Sequence, residues 1–187
     1  MKRYLCVFCG SRPGASGAYA DAAAELGRAI ARAGFGLVYG GGDVGLMGIL
    51  AGAVLDAGGT VRGIIPRRLL EREVAKPGIT ELVVTATMFE RKERMIADAE
   101  GFIVLPGGFG TLDELLEVLT LRQLGYHDRP VVLLEVNGFW EPCLAFFERI
   151  LAEGFAEPSA RRLFAVASDV PAALALATNG RRAAADD

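Results

Sequence analysis

Phe35-Gly36-Leu37-Val38-Tyr39-Gly40-Gly41-Gly42-Asp43-Val44-Gly45-Leu46-Met47-Gly48 places a short apolar run, a glycine-rich turn and the start of an apolar helical pattern in direct succession. An apolar run of about five residues that ends in glycine reads as a buried strand, and residues 45–57 read as a helix. Glycines let backbone N–H groups come close to an anion, and a helix N-terminus adds unpaired donors and positive potential. Taken alone, the loop is open to a second reading, a tight turn that only packs the helix against a sheet.

Working outward, the same alternation recurs. Apolar runs at 4–9, 35–39, 61–65, 80–84, 101–105 and 130–134 alternate with helical patterns at 17–33, 45–57, 88–99, 111–124 and 139–153, and a further strand and helix fit 163–177. Strands separated by helices imply right-handed crossovers. The expected fold is therefore α/β, a Rossmann-like three-layer arrangement with a central parallel sheet and helices on both faces. Residues 1–178 read as one nucleotide-binding domain, 66–78 as a surface excursion, and the polar, alanine-rich 179–187 as a frayed tail.

The composition suits one buried core, with 52% hydrophobic and 23% charged residues in 187. A net charge of -3 offers no basic face for nucleic acid. No apolar run is long enough to span a membrane, and the first run turns polar at Gly10-Ser11-Arg12, so a cytoplasmic protein is expected. Cys6 and Cys9 should point to opposite faces of one strand, which with Cys143 leaves no structural disulfide. The Cys6-Val7-Phe8-Cys9 spacing lacks a second half-site and His127 is the one histidine, so no metal is expected.

A second loop, Pro106-Gly107-Gly108-Phe109-Gly110-Thr111, repeats the strand-to-helix arrangement and adds a hydroxyl. In an open parallel sheet both loops would emerge at the carboxyl edge, where ligands bind at a switch in strand order. The following helix carries Leu112, Leu115, Leu116 and Leu119 as its expected buried stripe, with Asp113 and Glu114 in the first turn. Asp113 suits the helix dipole; Glu114, beside a phosphate loop, is a candidate for a functional role. In Met88-Phe89-Glu90-Arg91-Lys92-Glu93-Arg94-Met95-Ile96 an apolar stripe through Met88, Met95, Ile96 and Ala99 is crossed by Arg91 and Lys92. Two inward cations require anionic partners, a substrate, Glu114 or both. Glu90 and Arg94 read as an exposed helix pair.

The Pro106–Glu114 segment, P-G-G-x-G-T-x-x-E, together with Arg91-Lys92 and Val38-Tyr39-Gly40-Gly41-Gly42, resembles the LONELY GUY (LOG) family of cytokinin riboside 5′-monophosphate phosphoribohydrolases, older members of which were labelled lysine decarboxylases. The resemblance runs from Cys6 to the Glu153-Gly154-Phe155 region. It implies catalytic roles for Arg91 and Glu114, and nucleotide contacts from Glu73, Lys92, Gly107, Gly108, Phe109, Gly110, Thr111, Leu112, Asp113 and Thr120, beside the Gly41 and Gly42 of the first loop. It also implies hydrolysis of an N6-substituted adenosine 5′-monophosphate, no cofactor and a homodimer. Plant members carry D-M-H where this chain has Thr87-Met88-Phe89, a departure next to the catalytic arginine. Two other readings are a pyridoxal-phosphate decarboxylase using Lys92 and a nucleotide-binding module without activity.

Overall fold

The computed structural model describes residues 2–70 and 75–178. Its elements are β1 (Tyr4–Phe8), α1 (Gly17–Arg32), β2 (Gly36–Tyr39), α2 (Gly45–Asp56), β3 (Thr60–Pro66), β4 (Glu81–Thr85), α3 (Met88–Ala97), β5 (Ala99–Val104), α4 (Phe109–Gln123), β6 (Val131–Leu134), α5 (Glu141–Ala152), β7 (Ala165–Ala167) and α6 (Val170–Thr178). The seven strands form one sheet in the order β4-β3-β2-β1-β5-β6-β7, with every pairing parallel. This is the Rossmann-like α/β architecture that the alternating pattern predicts. The tail expected at 179–187 lies outside the described residues.

The two-residue period of β1 divides the core. Leu5, Val7 and Cys9 enter one apolar cluster, with α1 and α2, while Cys6 and Phe8 enter the other, with Met95 of α3, Leu115 of α4 and Trp140. The two cysteines thus face opposite sides of the sheet, and all three are free. Small residues allow close approach on the first face: a side chain at Gly27 of α1 would meet the Leu50 carbonyl and Ala53 of α2, and one at Gly101 of β5 would meet the Ala177 carbonyl of α6. Trp140 is buried at 1% exposure, with its indole N–H donated to the Leu134 carbonyl at 3.1 Å.

Two local expectations need correction. The buried face of α4 is Thr111, Glu114, Leu115, Val118 and Leu119, whereas Leu112 is half-buried and Leu116 is 49% exposed. The stripe is rotated by about one position, which carries Glu114 inward. Met88, expected in the stripe of α3, is exposed, because it stands in the first turn beyond the edge of the core. That turn is fixed instead by the N-cap Thr87, whose Oγ1 accepts the Glu90 N–H at 3.1 Å, while Glu90 Oε2 reaches back to accept the N–H of Ala86, the residue before the cap, at 2.9 Å. Glu90 also keeps its exposed pairing with Arg94 at 3.7 Å. Within the segment expected as a surface excursion, Ala75 makes an antiparallel bridge with Gly42.

Candidate active site

Strand order reverses at β1, which has β2 on one side and β5 on the other. The loops after β1, β2 and β5 therefore part around one crevice at the carboxyl edge of the sheet. A cavity of about 150 Å³ lies there. Its lining includes Cys9, Ser11, Gly40 and Met47 together with Arg91, Gly108 to Thr111 and Glu114.

Arg91 and Glu114 are buried to 6% and 8% exposure, and their side chains meet across the cavity, Nη2 to Oε1, at 3.6 Å. The guanidinium is also held by two carbonyls: its Nε–H donates to Ile64 O at 3.2 Å and its Nη2 to Gly40 O at 3.4 Å. It is thus suspended from the ends of β3 and β2. At 3.6 Å the pair is a Coulomb contact, looser than a bidentate hydrogen bond. Burying two charges is costly and often gives no net stability, which makes a buried pair in a cavity wall a candidate for a functional site.

The second glycine loop ends in an open helix terminus. Gly108 is the N-cap of α4 and no side chain caps it, and the first bond within the helix is donated by the Leu112 N–H to Gly108 O at 3.1 Å. Phe109, Gly110 and Thr111, whose N–H groups precede that bond, line the cavity, and such a free helix terminus suits an anion. The Thr111 hydroxyl packs against Gly107, where any side chain would overlap it, and the Gly10 N–H donates to Pro106 O at 3.1 Å, joining this loop to the one after β1.

The first loop differs. At the start of α2 the Leu46 N–H donates to Gly10 O at 3.0 Å, so part of that terminus is already satisfied. Gly41, at φ +82°, packs onto Ile64 and Ile65, and its carbonyl accepts the Lys76 N–H at 3.3 Å. Gly42 is bridged to Ala75. Of the three consecutive glycines, Gly40 reaches the cavity, while Gly41 and Gly42 lie behind it.

Lys92 is buried but does not line the cavity: its Nζ lies 3.1 Å from Asp113 Oδ2 and 2.9 Å from Glu117 Oε2. Burial pulls the ammonium toward a lower pKa, and the hydrogen bonds to Glu117 and Asp113 outweigh it and leave the pKa raised. Leu112 is half-buried behind Thr111. Thr120, further along α4, donates its hydroxyl to Leu116 O at 2.7 Å and lines a separate cleft with α5. Glu73 lies outside the described residues. Sequence reasoning misses Cys9, Ser11, Gly40 and Met47, although the first loop was singled out; the signal that finds them is the strand order, which puts the end of β1 at the switch. Burial first, and then the Glu114 carboxylate, push the Cys9 thiol well above its ordinary pKa, so it stands there as a neutral group. No group of three or more potential metal ligands gathers among the described residues.

Comparison with known proteins places this geometry in context. Residues 47–176 match the family described as "Possible lysine decarboxylase". The cytokinin riboside 5′-monophosphate phosphoribohydrolase LOG of Oryza sativa subsp. japonica is 49% identical over 161 residues, 86% of this chain and 66% of that protein, so the chain spans just under two thirds of that relative. LOG2 of Arabidopsis thaliana, with the same activity in its name, is 47% identical over 93% of this chain and 82% of its own length. Among solved structures, the Moco carrier protein of Chlamydomonas reinhardtii superposes with a TM-score of 0.74 at 24% identity, covering 98% of this chain and 99% of that one. The molybdenum cofactor binding protein of Rippkaea orientalis gives 0.72 at 23%, covering 94% and 95%. At those identities the structural likeness shows the fold alone.

Proposed function

The chain belongs to the LOG family of cytokinin riboside 5′-monophosphate phosphoribohydrolases, and from that premise we propose that it hydrolyses the N-glycosidic bond of N6-substituted adenosine 5′-monophosphates, with AMP as the unsubstituted member of the class. The observation that carries this reading is the buried Arg91–Glu114 pair and an uncapped helix N-terminus lining the same cavity. The 5′-phosphate sits at the first turn of α4, on the N–H groups of Phe109 to Thr111 and the Thr111 hydroxyl. Phosphate held there brings the ribose beside Glu114. The C1′–N9 bond breaks with its electron pair leaving on the base. Water adds its oxygen to C1′, and its released proton is balanced by the proton the base takes up. Glu114 stabilises positive charge on the sugar and receives the proton from water; Arg91 stabilises the negative charge developing on the base. Lys92, paired with Asp113 and Glu117, stabilises the first turns of α4 around that site.

The same pairing argues against a Schiff-base role for Lys92. Such a lysine must be neutral to attack, and this one is held protonated by two carboxylates. A cytoplasmic homodimer completes the proposal. The three free cysteines suit a reducing compartment. α5 has no buried residue and exposes Phe146, which with Phe155 and Leu116 leaves apolar surface suited to a second copy. The direct experiment is base release from isopentenyladenosine 5′-monophosphate by the wild type and by Glu114→Gln. A fall of about 100-fold or more in kcat is expected for the variant, in the range seen for lost acid–base or electrostatic groups. Equal turnover would remove Glu114 from the chemistry.

A further inference from the structure

Lys76 lies outside the cavity, in the excursion after β3, and touches the first glycine loop twice. Its N–H donates to Gly41 O at 3.3 Å, and its Nζ pairs with Asp43 Oδ1 at 2.6 Å. The side chains of Lys76 and Asp43 are 17% and 31% exposed, so the pair is partly shielded from solvent. Asp43 is itself seated on the first turn of α2, where a side chain at Gly48 would collide with its carbonyl and carboxylate. The pair therefore joins two anchored segments 33 residues apart in sequence.

Where the loop lines the cavity, at Gly40, it meets Arg91. Gly40 O accepts from the guanidinium at 3.4 Å, the long end of a hydrogen bond, and a side chain at Gly40 would overlap that group. The loop is thus held at neighbouring residues, by Lys76 at Gly41 and Asp43 and by Arg91 at Gly40. A shift of Gly40 to Gly42 away from the cavity withdraws one of the two carbonyls that hold the guanidinium and leaves it on the Ile64 carbonyl alone. Misplacement of a reacting group by about 1 Å can cost on the order of 100-fold in rate.

We propose that Lys76, acting through Asp43 and Gly41, is a positioning residue for Arg91. This rests on the hydrolase reading above and deepens it. Lys76 touches no reacting atom, so it governs turnover and leaves substrate affinity alone.

The test compares wild type, Lys76→Met, Asp43→Asn, the double variant and Lys76→Arg, with isopentenyladenosine 5′-monophosphate as substrate and melting temperature measured for each. Lys76→Met and Asp43→Asn should each lower kcat about tenfold, a fraction of the full misplacement cost, with KM within about twofold. The double variant should fall no further than the worse single, because both break one link. Lys76→Arg should restore kcat to within about threefold, since it keeps the charge. Wild-type kcat in folded Lys76→Met overturns the proposal, as does additivity in the double variant or a loss that tracks melting temperature and resists Lys76→Arg. The Arg91 Nε–H resonance in 15N-labelled protein without substrate separates the two readings. If the wild type releases no base but this resonance moves in Lys76→Met, the positioning stands and the hydrolase reading falls; an unmoved resonance overturns the positioning whatever the turnover.

Discussion

At the scale of single residues, the site depends on what lies behind Arg91 and Glu114. Gly40 illustrates this: a methyl there would strike the far end of the Arg91 side chain, which can move aside at little cost in stability. Gly40→Ala should therefore lower kcat about 100-fold, as expected for losing an electrostatic group from a transition state, while the melting temperature changes by only a few degrees. Steady-state kinetics beside thermal melts checks both halves, and unchanged kcat would show that the guanidinium acts equally well from elsewhere. Arg91 and Lys92 were legible in the sequence because cations interrupting an apolar stripe cannot stay unpaired. That only one of the two lines the cavity was not. Arg91 enters the cavity and Lys92 turns to Asp113 and Glu117, a choice made by the position of α4, which no spacing within α3 encodes.

At the scale of elements, strands and helices were readable because the apolar period changes from run to run, and the bounds agree closely with the structure. The buried face of α4 was misread for a physical reason: Leu112, Leu115, Leu116 and Leu119 form a helical stripe as good as the true one, and Thr111 and Glu114, although site candidates from the loop they follow, are polar and fall outside that stripe. A helix that lends polar groups to a site turns them inward at the expense of two leucines. The contact of α1 with α2 gives the element-scale prediction. Gly27 faces the Leu50 carbonyl and Ala53 too closely for any side chain, so Gly27→Val should destabilise the protein by about 1–3 kcal/mol through overpacking. Denaturant unfolding measures this, and the variant should retain wild-type kcat per folded molecule, because that interface lies away from the cavity. A variant as stable as wild type would mean that the two helices separate freely.

At the scale of the molecule, the parallel sheet with β1 at its switch brings together three loops far apart in the chain, and that is why the β1 end was missed: Cys9 and Ser11 show no periodicity of their own and become site residues only through strand order. The apolar surface on and around α5 leads to the expectation of a dimer, to be read as twice the chain mass of 19.8 kDa by light scattering; a monomer at working concentration would contradict it. The central claim is that a phosphate bound at the first turn of α4 delivers the ribose to Glu114 and Arg91. The measurement that tests it most directly is chromatographic release of base from isopentenyladenosine 5′-monophosphate, from AMP and from the unphosphorylated riboside, side by side. Release from the monophosphates, with the riboside slower by about 100-fold or more because its binding and orientation are lost, is the expected result. Equal release from the riboside, or none from any of the three, would contradict the account.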